Sequence, residues 1–207
     1  MDWQIYLTAF VTLFVIIDPI GLAPLFIALT RGMRPRDARR NGQRAVAIAA
    51  ILLTLFALAG DAILSTIGIS IAAFRIAGGV LLFLTALDML FERRTERRED
   101  QANEPDPSVD DPSVFPLATP LLAGPGALAT MILLSGQSSG WAHQGMVIFV
   151  MLAVLACAML LFEIAVPLGR ALGRRGTMVV TRLLGMLLAA LSIQFIIDGL
   201  KGTGLFG

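Results

Sequence analysis

Six long apolar runs, separated by short polar or charged segments, constrain this chain more than any other feature. Of its 207 residues, 57% are hydrophobic and only 15% are charged. The runs reach or approach the roughly 20 residues that an α-helix needs to cross the hydrocarbon core of a bilayer. The predicted spans are residues 3–30, 45–69, 71–91, 114–135, 144–168 and 183–200. We therefore predict an all-α membrane protein with six transmembrane helices.

The basic residues are concentrated in three short segments, 31–44, 93–98 and 170–182, which are interpreted as loops. Every lysine and arginine except Arg75 and Lys201 falls in one of them. The positive-inside rule places such segments in the cytoplasm, so both chain termini are expected on the outer side. The first apolar run is too long for a signal-peptide core and is read as a retained span. The lipid bilayer is the expected partner, and nothing in the charge pattern indicates nucleic-acid binding.

Residues 92–113 form a charged, proline-bearing stretch without an apolar face. Such composition is typical of a solvated linker, and we favour this over a cation site formed by its acidic cluster. The linker would divide the chain into a first block of three helices, 1–91, and a second block, 114–207. This arrangement predicts two three-helix units joined on the cytoplasmic side.

The two blocks resemble each other. A shift of 107 residues aligns "RIAGGVLLFLT" with "RLLGMLLAALS", so that an arginine, a glycine and a hydroxyl residue coincide. A shift of 105 relates the first and fourth spans more loosely. Three spans per block force the copies into opposite orientations, which predicts two inverted three-helix repeats. Chance similarity between leucine-rich helices is the alternative. Gly78, Gly79 and Gly185 are interpreted as close helix contacts.

The first and fourth helices are interrupted, by "DPIGLAP" and by "PLATPLLAGPG". Proline removes a backbone donor, and glycine tolerates the bend that results. In lipid, each backbone group left unsatisfied costs several kcal/mol, so a break persists only where protein or a wet cavity covers it. Breaks at corresponding places in two repeats point to a substrate site near the midplane. The alternative is a pair of kinks that only shape the bundle.

Broken helices offer charge of both signs. Freed N–H groups near Gly21 and Gly124 suit a carboxylate, whereas Asp18 and freed carbonyls suit an ammonium group, a sodium ion or a proton. Together they predict a small zwitterionic substrate. Hydroxyl and amide side chains nearby would add hydrogen bonds unless they bond their own backbone. The predicted substrate-binding residues are Asp18, Pro19, Gly21, Pro24, Thr119, Pro120, Gly124, Pro125, Gly126, Thr130 and Gln194, with Ser192 as a further hydroxyl candidate.

Acidic residues within the spans are the candidates for binding a coupling ion. These are Asp18, Asp61 and Glu163, although the last two are equally well read as interfacial. The only cysteine is Cys157 and the only histidine is His143, which falls in a short connection. No His/Cys metal site can be assembled from them, no cofactor is indicated, and no catalytic constellation is recognisable. We therefore expect a protein that is not an enzyme.

Three segments carry a family resemblance: "FVIIDPIGLAPLFIALT", "PLATPLLAGPGALATMIL" and "TRLLGMLLAALSIQFIIDGL". They resemble the MarC family (UPF0056) of bacterial inner-membrane proteins, over essentially the whole chain. The resemblance implies an inner-membrane location with periplasmic termini. Some members look like cation-coupled transporters of neutral amino acids such as glycine and alanine.

Many members have asparagine after the "DPxG" glycine, where this chain has Leu22, so the substrate implied here differs. The motif positions carried over are Asp18, Pro19, Gly21, Pro24, Pro120, Gly124, Pro125 and Gly126.

The leading hypothesis is a secondary transporter or exporter of small neutral solutes, foremost small neutral amino acids, coupled to a proton or sodium gradient. Two alternatives stay open. One is a multi-pass membrane protein that does not transport and acts through partner proteins. The other is a drug or metabolite efflux protein, although only 7% of the residues are aromatic, which is few for lining a large apolar pocket. Self-association into a homo-oligomer is also left open.

Overall fold

The computed structural model describes residues 3–93, 113–137 and 140–204, and all regular structure in these ranges is helical. Five helical stretches there are long and apolar enough to span a membrane, and the bent pair Ser113–Leu122 and Pro125–Ser135 gives a sixth if it is counted as one span. The predicted linker lies almost wholly outside the described residues, so the division into two blocks stays a prediction. The helices are α1 (Trp3–Ile17), α2 (Pro19–Leu29), α3 (Pro35–Ile67), α4 (Ile71–Leu90), α5 (Ser113–Leu122), α6 (Pro125–Ser135), α7 (Trp141–Glu163) and α8 (Ala165–Gly202).

The bundle has two ends that differ in charge. At one end, which we call the terminal face, α1 begins and α8 ends, and Ile71 at the start of α4 packs against Gly136. At the other end, the arginine face, Arg39 near the start of α3 pairs with Glu163 at the end of α7. Arg182 of α8 also pairs with Glu92 there. The basic segments described by the structure therefore meet at one end of the bundle.

The interrupted helices lie at the centre of the bundle. In the span formed by α1 and α2, 61% of the most apolar window is buried, against 22% to 39% for the four uninterrupted spans. Nearly every residue of α6 is also buried. Broken backbone is tolerated at membrane depth only where other protein covers it, and here α3, α4, α7 and α8 provide that cover.

Helices α4 and α8 run antiparallel and pack closely through glycines. A Cβ placed on Gly79 would lie 2.8 Å from the carbonyl oxygen of Ser192, and one on Gly199 would lie 3.0 Å from that of Ala72. Gly185 approaches the Ala86 carbonyl in the same way, at 3.3 Å. The interpretation of Gly79 and Gly185 as close helix contacts is confirmed, because small residues let two backbones approach in a membrane.

Two segments predicted as loops are helical in the structure. Helix α3 begins at Pro35, ten residues before the predicted span, and its 33 residues extend for about 50 Å, well beyond a hydrocarbon core of about 30 Å. Proline at the first helical position and arginines with good helix propensity explain this extension. Helix α8 likewise begins at Ala165 and bends at Gly173, where φ is 60°. Both loop predictions were wrong because hydropathy measures the length of the apolar run, not of the helix.

We expect the substitution Gly79→Ala to lower the thermal unfolding midpoint in detergent, because the new methyl group would collide with the Ser192 carbonyl. Overpacking of this kind costs about 1–3 kcal/mol. The matched control is Gly145→Ala in α7, where a Cβ has nothing within 4 Å among the described residues. That substitution should leave the midpoint unchanged or raise it. Equal midpoints for the two variants would contradict the close α4–α8 contact.

Candidate functional site

Asp18 forms the break between α1 and α2. Its backbone is left-handed, with φ 55° and ψ 61°, a conformation that aspartate and asparagine tolerate better than other residues with side chains. The side chain is 1% exposed, and its Oδ1 accepts a hydrogen bond of 3.1 Å from the backbone N–H of Gly21. Asp18 therefore caps the N-terminus of α2, where the helix dipole also favours a negative charge.

Gly21 is required by the position of this carboxylate. A Cβ at residue 21 would lie 2.1 Å from Oδ2 of Asp18, so any side chain would displace the buried acid. Pro19 occupies the first position of α2, where a missing N–H is tolerated. The sequence analysis expected the Gly21 N–H to be free for a substrate anion. That expectation was wrong for this conformation, because Asp18 itself occupies the donor.

The second break, between α5 and α6, is sharper. The axes of the two helices differ by 55°, and within α5 both Phe115 and Thr119 are extended. A Cβ on Gly124 would lie 2.6 Å from the carbonyl oxygen of Pro120, so glycine is needed where the chain turns back. Gly124 is the N-cap of α6, and no side chain of the described residues caps this helix. In contrast to α2, the N-terminus of α6 therefore presents backbone N–H groups without a side-chain cap.

The two breaks lie against each other. A Cβ on Gly126, in the first turn of α6, would be 3.5 Å from Cγ2 of Ile16, which precedes Asp18 by two residues. The same position faces Leu82 and Thr85 of α4. A buried carboxylate and an uncapped helix N-terminus thus lie on adjoining segments in the interior. This pairing presents opposite charges within one small region.

The hydroxyl candidates are bonded to backbone. Thr130 is fully buried and donates to the Gly126 carbonyl at 2.8 Å, and Thr119 donates to the Val114 carbonyl at 3.3 Å. Ser192 donates to the Ala189 carbonyl at 2.7 Å. In this conformation all three hydroxyl protons are therefore bonded to backbone carbonyls, which was the alternative to a contact with substrate. Two proline candidates, Pro24 and Pro125, are exposed on the outer sides of their helices.

Gln194 lies at the terminal face. Its amide donates to Oδ1 of Asp198 at 2.8 Å. Both side chains line a cavity of about 230 Å³ between α1, α6 and α8. Gln194 is therefore a candidate for contacting a solute near this face, while the two breaks carry the other predicted residues.

The remaining acidic candidates differ from Asp18 in their surroundings. Asp61 is exposed on the surface of α3. Glu163 is paired with Arg39 at the arginine face, with 2.9 Å between Oε1 and Nε. Among the described residues, Asp18 is the one acid that is fully buried, and no group of three His, Cys, Asp or Glu side chains there could hold a metal ion. Asp18 is therefore the acidic candidate that lies inside the bundle.

A polar contact that no sequence pattern indicated lies near the terminal face. His143 lies in the first turn of α7 and is 8% exposed. Its Nε2 is 2.9 Å from the carbonyl oxygen of Leu134, and its Nδ1 is 3.3 Å from the hydroxyl of Tyr6. A neutral ring protonated on Nε2 donates to Leu134 and accepts from Tyr6. The histidine thereby joins α1, α6 and α7 and satisfies a carbonyl at the end of α6.

Asp18→Asn should retain the wild-type stability, because asparagine both caps helices and tolerates left-handed backbone. Asp18→Ala should lower the free energy of unfolding by about 1–2 kcal/mol through loss of the cap. Thermal unfolding in detergent of the two variants and the wild type tests this ordering. A drop for Asp18→Asn as large as that for Asp18→Ala would contradict the capping role.

Comparison with known proteins agrees with this fold. The MarC family integral membrane protein pattern matches residues 3–203. UPF0056 membrane protein MJ1677 of Methanocaldococcus jannaschii is 35% identical over 98% of this chain and 99% of its own. UPF0056 membrane protein YhcE of Escherichia coli K12 is 36% identical over 97% and 94%. UPF0056 membrane protein YvbG of Bacillus subtilis is 32% identical over 98% and 97%.

The names of these three relatives are those of membrane proteins, and none is the name of an enzyme. No solved structure matches the chain. The family pattern covers nearly the whole sequence, including both interrupted spans. The chain is a multi-pass integral membrane protein of the MarC family.

Proposed function

We propose that the protein is a secondary transporter of small neutral solutes, foremost small neutral amino acids. The observation that carries the proposal is the approach of Gly126 to Ile16, which brings the segment that contains the buried Asp18 against the first turn of α6. Irregular backbone in the middle of two central spans is typical of substrate sites in secondary transporters. A neutral asparagine would cap α2 as well, so a break that only shaped the bundle would not need the charge of a carboxylate there.

The charges at the two breaks suit a zwitterion. Oδ1 of Asp18 accepts from the Gly21 N–H, but an ionised carboxylate has about four acceptor sites, so Asp18 can also accept from an ammonium group. The α6 N-terminus offers backbone N–H groups and a partial positive charge to a carboxylate. The fully buried Leu22 would add an apolar side chain directly after Gly21. Asp18 would also bind the coupling proton or sodium ion, because it is the buried one of the three acidic candidates.

The conformation of the bundle supports alternating access. At the arginine face, the rings of Phe26 and Phe162 stack with centroids 4.5 Å apart and planes 6° from parallel. The Arg39–Glu163 ion pair links α3 to α7 at the same end. The cavity lined by Gln194 lies at the opposite end. If the arginine face is cytoplasmic, as the positive-inside rule requires, the termini are periplasmic and this conformation is open toward the outside.

An inverted repeat would account for the packing pattern. Helix α4 packs antiparallel to α8, α2 packs on α8, and α6 packs on α4. Helices α5 and α6 pack on α3, just as α1 and α2 pack on α7. A two-fold axis in the membrane plane that exchanges the two blocks would relate each contact to its counterpart. We include this symmetry in the proposal because it would let one block rock against the other.

Transport by reconstituted protein tests the proposal. Purified wild type, Asp18→Asn and Asp37→Asn are placed in proteoliposomes, and uptake of labelled glycine and alanine is measured under imposed sodium or proton gradients. Asp18→Asn should reduce uptake by about tenfold or more while keeping the fold, because its cap is preserved. Asp37→Asn, which removes an exposed carboxylate at the start of α3, should retain the wild-type rate.

Two results would contradict the proposal. Unchanged uptake by Asp18→Asn would remove Asp18 from the site. Absence of uptake and counterflow by the wild type across a panel of amino acids and other small neutral solutes would contradict transport of this solute class. Uptake restricted to large apolar compounds would instead favour the efflux alternative.

A further inference from the structure

The cavity at the terminal face opens between three helices, and its lining combines apolar with polar side chains. Its polar lining comes from Gln4 and Thr8 of α1, Gln137 beyond α6, and Gln194 and Asp198 of α8. A water molecule takes up about 30 Å³ of liquid, so a cavity of about 230 Å³ has room for several waters or for a small solute. Neither the family description nor the names of the relatives assigns a role to this cavity.

Thr12 lies deeper on α1 and has an unusual hydroxyl. It is 0% exposed, and its Oγ1 has no hydrogen-bond partner among the described residues. By contrast, the hydroxyls of three other threonines donate to the carbonyl four residues earlier, at 2.7 Å for Thr30, 2.9 Å for Thr85 and 2.8 Å for Thr130. A buried polar group without a hydrogen-bond partner bears the full cost of its desolvation. The absence of a partner for this hydroxyl therefore needs a physical explanation.

The helical spacing places Thr12 between the cavity and the breaks. Gln4, Thr8, Thr12 and Ile16 follow one another at four-residue intervals, so each neighbours the next along α1, with each step about 6 Å deeper. The first two line the cavity, and the last faces Gly126 at the second break. The unpartnered hydroxyl is therefore the deepest of three polar residues, Gln4, Thr8 and Thr12, that lead from the terminal face toward the breaks.

We propose that the cavity is the outer end of an access route for small zwitterionic solutes, and that Thr12 is a substrate-contacting residue on it. The identity of the solute rests on the proposed function, whereas the existence of the route does not. A hydroxyl donates to a carboxylate and accepts from an ammonium group, so Thr12 can contact either end of a zwitterion in passing. Gln4 and Thr8 supply the same kind of neutral contact nearer the surface.

Cysteine accessibility tests the route without requiring transport. In a Cys157→Ser background, the single variants Gln4→Cys, Thr8→Cys and Thr12→Cys are compared with Leu7→Cys, which replaces an exposed apolar residue on the outer side of α1. Each variant is treated in intact spheroplasts and in inverted vesicles with a membrane-impermeant methanethiosulfonate that carries a quaternary ammonium group.

The Gln4→Cys variant identifies the preparation in which the terminal face is accessible. In that preparation the Thr8→Cys and Thr12→Cys variants should react with the reagent. The Leu7→Cys variant should not react, because the thiolate is the nucleophile and does not form in hydrocarbon.

The result separates the route from the proposed function. Reaction of the Thr12→Cys variant in a protein that takes up no small solute would support the route and contradict the transport proposal. Uptake by a protein whose Gln4→Cys variant reacts and whose Thr12→Cys variant does not would overturn the route and leave transport standing.

A second measurement covers the case in which the Thr12→Cys variant does not fold. Thr12→Val removes the unpartnered hydroxyl at nearly constant shape, so the thermal unfolding midpoint should stay or rise. Uptake of labelled alanine should nevertheless fall several-fold. A lower midpoint together with unchanged uptake would show a packing role and overturn the assignment of Thr12.

Discussion

A helix that crosses a bilayer cannot be broken at mid-depth unless something satisfies the backbone groups that the break releases, and the rest of this structure follows from that constraint. Asp18 satisfies this constraint within one helical turn. Its left-handed backbone redirects the chain, and its carboxylate accepts the N–H of Gly21. The main chain still bonds across the break, from Asp18 to Phe14 and from Leu22 to Asp18. The three fixed residues of "DPxG" therefore act together: the aspartate caps α2, the proline begins that helix, and the glycine leaves room for the carboxylate.

Other parts of the protein must cover the two broken spans, and the remaining helices are arranged around them accordingly. They occupy the centre, while the long helices α3 and α7 and the antiparallel pair α4 and α8 surround them. Glycines hold α4 and α8 close together. Cover is also uneven between the two ends: aromatic stacking and an ion pair lie at the arginine face, and a cavity with polar side chains in its lining remains at the terminal face. This asymmetry is what a transport cycle would need.

Much of this architecture could be predicted from the sequence, because hydropathy and the Pro/Gly interruptions report directly on lipid contact and on helix breaks. The apolar spans, the positions of both breaks and the glycine contacts followed from such patterns. The helical extension before Ala45 did not, since charged residues end an apolar run without ending a helix. The use of the Gly21 N–H by Asp18 depends on a left-handed φ that no periodicity reveals. The contact of His143 with its neighbours and the unpartnered Thr12 hydroxyl depend on tertiary packing, which a single sequence does not encode in any local pattern.

The central claim is that the two breaks meet in the interior, and a cross-link tests it most directly. Cysteines at positions 16 and 126 are introduced in a Cys157→Ser background with a protease site inserted between residues 93 and 113. Mild oxidation should join the two halves, so that they stay together on a denaturing gel after cleavage. A control pair at positions 8 and 126, with residue 8 about 12 Å further along α1 than residue 16, should leave the halves separate. Separation of the halves with the 16/126 pair, or equal linkage with both pairs, would contradict the account.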